Sequence, residues 1–144
     1  MHYVTILWSG AAAATLLLAM VHAAIWATDR NARASLALSL IALALVGIAY
    51  TELGMMMSET PDQWARWVRW CHLPLFFFFA GIAWFVRIHF GTGRLWLMWS
   101  VIAIRGVILL VNFTVPPNFN FATVTALRPM DFLGDTVSVV AQAT

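Results

Sequence analysis

The chain has 144 residues, of which 62% are hydrophobic and only 10% are charged, and its mean hydropathy is +0.85. Soluble domains are about 45–50% apolar and about 25% charged, so this composition excludes a soluble globular protein and predicts an integral membrane protein. The basic side chains are all arginines scattered along the chain, which gives a nucleic-acid interface no support. Cys71 is the single cysteine, which excludes an intrachain disulfide and a cysteine-rich metal site.

Four segments meet the requirement for a membrane-crossing helix, which is about 20 mostly apolar residues. They cover residues 3–28, 34–57, 71–90 and 95–115. The first segment lacks a basic start and its charge-free run is too long for a signal peptide, so we expect it to be a retained helix. The links between the first and second spans (residues 29–34) and between the third and fourth spans (residues 91–94) are short, which predicts antiparallel neighbours.

The sequence before the third span carries the signals for the beginning of a helix. Thr60 fits the N-cap, Pro61 fits the first helical position, and Gln63 stands at the acceptor position of a capping box. Together with the tryptophans that follow, these residues predict a short helix over 61–70 that lies in the membrane interface. An ordinary tryptophan belt at the start of the third span is the alternative.

Beyond the fourth span the pattern becomes strand-like. FNFATVTAL (119–127) alternates at period two, RPMD (128–131) can turn, and FLGDTVSVV (132–140) is again typical of a strand. We therefore expect a four-helix transmembrane domain over residues 1–116 and an outer-face β-hairpin and tail over 117–144. The predicted fold class is all-α integral membrane, with four transmembrane helices, a short interfacial helix and a small C-terminal extramembrane β-hairpin.

The arginines near the ends of the spans predict the orientation in the membrane. Four of them lie at the two short links and three lie on the opposite side, and the richer side is expected to be cytoplasmic. Both termini should then lie on the periplasmic side of a bacterial inner membrane. The link arginines are Arg30, Arg33, Arg87 and Arg94, and those opposite are Arg66, Arg69 and Arg128.

Two charged residues fall inside the predicted spans. Glu52 lies one to two turns from the outer end of the second span, and Arg105 lies near the middle of the fourth. A charge within a span costs about 2.5–3.5 kcal/mol on insertion scales and usually faces a partner or a cavity. We expect a structural ion pair between the two side chains. A ligand or proton site is one alternative, and the other is that they do not meet and Arg105 faces a partner or a lipid headgroup.

The stretch RWCHLPLFFFF (69–79) places a histidine between a tryptophan-rich segment and four phenylalanines. Pro74 has no N–H, so it frees the carbonyl of Trp70 and disfavours a straight helix there. We expect His72, Trp70 and Pro74 to anchor the bend at the start of the third span. In this hypothesis His72 bonds to a freed backbone group or to the outer hairpin.

The four histidines raise the question of a cofactor, because helical bundles bind haem and pigments through side chains on facing helices. His22 and His89 lie towards the inner ends of their spans, and His2 and His72 lie towards the outer side. We predict no metal site and no cofactor. Haem or bacteriochlorophyll held by His22, His89 or His72 is the alternative.

Several segments together resemble one known family. They are ELGMM (52–56), RWCHLPLF (69–76), FVRIHFGTGRLWLMW (85–99), the pattern around Arg105 and Asn112–Phe113, and PNFNFATVTALRPMDFLGDTVSV (117–139). This combination is similar to the amino-terminal membrane region of bacterial sensor histidine kinases, which is a seven-helix sensory module. The resemblance covers the first four helices of that module and the following outer loop, and it implies a sensing role. The family continues into three more helices and cytoplasmic signalling domains, whereas these 144 residues include no kinase domain.

No Ser–His–Asp arrangement, carboxylate pair or phosphate loop is visible, so we expect no enzymatic activity. The predicted function is a sensing or protein-interaction module that contacts membrane lipids and other transmembrane proteins, in a larger assembly or a homo-oligomer. One alternative is an accessory subunit of a photosynthetic or respiratory complex. A second alternative is a small haem- or pigment-binding membrane protein.

Overall fold

The computed structural model describes residues 3–144, so His2 lies outside the described residues. All four helices are long and apolar enough to cross a bilayer. The prediction of four long apolar helices and a small antiparallel sheet is thus confirmed. The elements in chain order are α1 (Tyr3–Thr28), α2 (Arg33–Met56), α3 (Pro61–Phe90), α4 (Leu95–Thr114), β1 (Val124–Phe132) and β2 (Asp135–Ala143).

The beginning of α3 has the predicted N-cap, and the Gln63 side chain bonds one residue before the N-cap and not to Thr60 itself. The Thr60 hydroxyl oxygen accepts a hydrogen bond from the Gln63 backbone N–H at 3.3 Å, and the Gln63 side chain accepts one from the Glu59 N–H at 3.2 Å. Residues 61–70, however, are the first turns of α3 and not a separate interfacial helix. The helix runs without interruption for 30 residues and ends at Gly91, which has the left-handed φ of 61°.

Pro74 lies within α3 and packs directly against α2. A Cβ placed on Gly47 of α2 would lie 2.9 Å from the Pro74 Cβ, so the proline ring occupies the space that glycine leaves. Proline is tolerated within apolar membrane-spanning helices. The helix continues through Pro74, and the predicted boundary between residues 70 and 71 is absent.

The four helices form an open row in chain order. Extensive packing joins α1 to α2, α2 to α3 and α3 to α4, so α1 and α4 are the edge helices. Between α1 and α2 the buried residues are small, including Ala19 and Ala37, and the Ser39 hydroxyl donates a hydrogen bond to the Ala19 carbonyl at 2.8 Å. Small residues let the two backbones approach closely without relying on a hydrophobic driving force.

Glycines produce the close contact between α2 and α3. A Cβ on Gly54 would lie 2.4 Å from the Trp67 ring, and a Cβ on Gly81 would lie 2.7 Å from the Ile41 side chain. A large side chain of the facing helix therefore fills the space that each glycine leaves.

The C-terminal hairpin has its turn at Leu133 and Gly134, because Phe132 pairs with Asp135. Both turn residues have positive φ, 53° and 78°, which the two-residue turns of twisted hairpins require. The predicted turn at 128–131 is wrong, since these residues pair within β1. Proline at position 129 is tolerated because each strand of a two-stranded sheet is an edge strand.

Candidate functional site

One end of the row, which we call the hairpin end, holds the start of α1 and α3, the end of α2 and α4, and the hairpin. The Asp135 carboxylate accepts a hydrogen bond from the Val4 N–H in the first turn of α1 at 2.8 Å, where a negative charge complements the helix dipole. The Ser138 hydroxyl donates to the Ser58 carbonyl after α2 at 2.6 Å. These contacts hold the hairpin against the helices.

A cluster of polar side chains, which we call the polar junction (Arg69, Asn112, Asn118), joins α3, α4 and the loop after α4. Asn112 is fully buried. Its amide nitrogen donates to the Arg69 carbonyl at 2.8 Å, and its amide oxygen accepts from the Phe119 N–H at 3.0 Å. A single side chain thus connects three segments of the chain.

Asn118 completes the polar junction from the loop. It is almost fully buried, and its amide nitrogen donates to the Ala65 carbonyl at 3.4 Å. Its amide oxygen accepts hydrogen bonds from the N–H groups of Asn120 and Phe121 at 2.9 and 3.0 Å. Sequence analysis did not identify this cluster as a site. The available signal was an asparagine on each side of the Pro–Pro pair, where helix-breaking residues leave backbone groups to be satisfied.

The guanidinium of Arg69 is held within the same junction. It donates to the Phe113 carbonyl and lies over the Phe113 ring, with 5.3 Å between its central carbon and the ring centroid. The positive charge of Arg69 is therefore positioned by the last turn of α4, where a cation complements the helix dipole.

Glu52 faces α1. Its carboxylate accepts a hydrogen bond from the Trp8 indole N–H at 3.1 Å. Both residues line an open groove of about 580 Å³ between α1 and α2, together with small side chains such as Ala11 and Ala49.

Arg105 lies on the far side of α3 from Glu52. Its guanidinium carbon is 3.7 Å from the centroid of the Phe79 ring. The structure does not bring Glu52 and Arg105 together, because α3 packs between α2 and α4. Among residues 3–144, no carboxylate forms an ion pair with Arg105.

The three proposed anchor residues are His72, Trp70 and Pro74. All three lie on α3, and each contacts a different part of the structure. The His72 Nδ1 lies 3.0 Å from the Val68 carbonyl of the preceding turn, so it bonds neither to the freed Trp70 carbonyl nor to the hairpin. Trp70 packs edge-to-face on Phe113 of α4, with centroids 5.2 Å apart. Pro74 lies against α2, as described above.

A second groove of about 510 Å³ runs between α2 and α3, and its lining is almost wholly apolar. Trp70 and Pro74 line it from α3. Tyr50 and Trp67 stand at one side of it with their rings edge-to-face, 5.4 Å between centroids. This groove has room for an acyl chain or an apolar side chain, but it offers no charged group.

The histidines proposed as alternative cofactor ligands do not face one another. His22 is on α1, and its buried Nδ1 has no hydrogen-bond partner among the described residues. His89 is on α3, where its exposed ring stacks on Phe85 at 5.0 Å. His72 and His89 are separated by about 25 Å of helix. Over residues 3–144, no group of three histidine, cysteine or acidic residues could hold a metal ion.

Comparison with known proteins gives no family model, no curated protein and no solved structure that matches this chain. Two features of the described residues are distinctive. They are the polar junction, which joins α3 and α4 to the loop that leads to the hairpin, and the mid-helix arginine on an edge helix.

Proposed function

We propose that this chain is a non-catalytic, membrane-spanning sensing or interaction module that works by packing its helices against other transmembrane helices. The observation that carries this proposal is the open row. In a closed bundle each helix packs on two neighbours, whereas α1 and α4 each pack extensively on one.

The outward surface of the edge helices supports the proposal. On α4, Ile104, Val107 and Leu110 are 60%, 59% and 69% exposed, and on α1 Leu17 is 60% exposed. Lipid chains can cover such apolar side chains. Small residues beside them favour contact with another helix, because they let two helix backbones approach closely. Gly10 of α1, for example, has no atom within 4 Å of the place where a Cβ would lie.

The sensory form of the proposal draws on the sequence resemblance and on the hairpin end. A stimulus that shifts the hairpin would act on α1 through Asp135, on α2 through Ser138 and on α3 and α4 through the polar junction. Packed interfaces that have two discrete arrangements convert small local shifts into larger movements of helices. The accessory-subunit form differs only in its partner, which would be a large photosynthetic or respiratory complex.

The proposed location is a bacterial inner membrane with the hairpin end on the periplasmic side. The arginine distribution supports it, since Arg30 and Arg94 lie at the short links at the other end of the row.

Purification from native membranes in a mild detergent tests the proposal. We expect a transmembrane partner at fixed stoichiometry. The substitutions Val107→Trp on α4 and Leu17→Trp on α1 probe the two edges, and at least one should reduce the yield of partner by about tenfold or more, a loss of about 1.4 kcal/mol. Leu133→Trp, at the exposed hairpin turn, is the matched control. A chain that is extracted alone, and unchanged by all three substitutions, would contradict the proposal.

The same preparation separates the alternative functions. A partner with signalling domains supports the sensory form, and a large energy-converting complex supports the subunit form. A Soret or bacteriochlorophyll absorption band that survives removal of every partner would instead support a pigment carrier.

A further inference from the structure

Arg105 occupies the middle of α4, an edge helix of the row. Helical rise places it about 15 Å from either end of the helix. An arginine side chain is too short to reach the aqueous boundary from that depth. Its charge also persists, because guanidinium is not deprotonated in proteins.

The described residues give the Arg105 guanidinium an aromatic contact but no hydrogen-bond acceptor. The Phe79 ring covers one face of the guanidinium at 3.7 Å, an attraction between a cation and the negative face of the ring. The five N–H donors of the group make no hydrogen bond within residues 3–144. Phe79 therefore stabilises the charge without providing an acceptor.

Two other arginines show which acceptors the chain provides for a guanidinium group. Arg87, near the end of α3, donates to the Gly93 carbonyl at 2.7 Å, and Arg69 donates to the Phe113 carbonyl. Both use backbone carbonyls at or beyond helix ends, which have no partner inside the helix. Such carbonyls are absent in the middle of α4, so an acceptor for Arg105 must come from another element.

Arg105 is half-buried and lies beside the free side of α4, where Ile104 and Val107 are more than half exposed. Gly106, in contrast, faces α3, because a Cβ there would lie 3.7 Å from Phe76. An exposed apolar face beside one unsatisfied cation fits a helix that brings an anion. Lipid acyl chains offer no acceptor, and lipid headgroups lie at the wrong depth.

We propose that the free face of α4 docks a transmembrane helix that carries one aspartate or glutamate at the depth of Arg105. The carboxylate accepts two parallel hydrogen bonds from the guanidinium, the geometry in which this pair is strongest. The inference rests on the proposed function and names the chemistry of the partner.

Association in lipid vesicles tests the inference with defined probes. The full-length chain, labelled with a donor fluorophore, is reconstituted with polyleucine transmembrane peptides labelled with an acceptor. One peptide has a central Glu, a second has a central Gln and a third has the Glu displaced by two turns. We expect the central-Glu peptide to bind at least about tenfold more tightly than either other peptide, as a buried charge pair permits.

Substitutions in the chain test whether the preference for the central-Glu peptide depends on the Arg105 side chain. Arg105→Gln should abolish the preference for the central Glu, and Arg105→Lys should keep part of it, because lysine retains the charge but not the bidentate geometry. Arg94→Gln, at the exposed start of α4, is the matched control and should change nothing. Circular dichroism confirms that each variant is folded.

A central-Glu preference that survives in Arg105→Gln, or no preference in the wild-type chain, would overturn the inference. Neither result would contradict the proposed function if a partner still co-purifies from native membranes.

Discussion

Gly54 of α2 packs directly against the Trp67 ring of α3. A Cβ there would lie 2.4 Å from the Trp67 ring, so Gly54→Ala must displace that ring from its place in the interface. Overpacking of this kind costs about 1–3 kcal/mol. We expect a lower midpoint in thermal unfolding of the detergent-solubilised protein.

Gly10→Ala is the control for this substitution, since it also replaces a helical glycine. No atom lies within 4 Å of the added Cβ, and alanine has the higher helix propensity. Its unfolding midpoint should be unchanged or slightly raised. An equal decrease of the unfolding midpoint in the two variants would mean that the contact between Gly54 and the Trp67 ring does not contribute to stability.

Asn112 is expected to be the most sensitive polar residue of the polar junction. Asn112→Ala removes the hydrogen bond to the Arg69 carbonyl and leaves the Phe119 N–H without its buried partner, and such an unsatisfied group costs about 1–3 kcal/mol. Chemical unfolding of the purified chain measures the loss. Asn120→Ala, at an exposed position in the same loop, should have little effect, and a similar loss there would refute the role of the junction.

His72→Ala should have only a small effect, about 1 kcal/mol or less, because its hydrogen bond is to the Val68 carbonyl of its own helix. The absorption spectrum of the purified protein should be unchanged. Loss of an absorption band from a folded His72→Ala protein would make this histidine a cofactor ligand.

At the scale of residues, local contacts were predictable from the sequence and contacts between helices were not. Thr60 and Gln63 were interpretable because capping depends on residues three positions apart. The partner of Glu52, in contrast, depends on which face of α2 meets α1, and the sequence alone did not indicate that Trp8 would lie there.

At the scale of elements, the hairpin turn offers a stabilising substitution. Leu133 has a φ of 53°, a conformation that costs most residues about 1–2 kcal/mol. Leu133→Asn creates the Asn–Gly pair preferred in such turns. Amide hydrogen exchange across β1 and β2 should slow, whereas Gly134→Val should accelerate it; the reverse order would contradict the turn geometry.

Element boundaries were predictable where long apolar runs defined them, as for α1, α2 and α4, which begin and end within one residue of the expected positions. Two predictions at this scale failed for tertiary or conformational reasons. The helix α3 continues through Pro74, whose ring packs at Gly47 of α2. The turn lies at Gly134 because only glycine adopts its φ of 78° at no steric cost.

At the scale of the whole molecule, the order of the helices determines which residues can meet. Short links predicted antiparallel neighbours, but they are compatible with both a closed bundle and an open row. In a closed bundle Glu52 and Arg105 could pair. In the observed row α3 separates them, and this arrangement leaves a cation on one edge and a carboxylate in the groove beside the other.

The most direct test of the account is photo-crosslinking in native membranes from position Val107 of α4. We predict an adduct with one transmembrane segment that has an aspartate or glutamate within about one helical turn of the crosslinked residue, that is, about 5.4 Å. The yield should fall in Arg105→Gln and persist in Arg94→Gln. Adducts with lipid alone, or with a segment that has no acidic residue at that depth, would contradict the account.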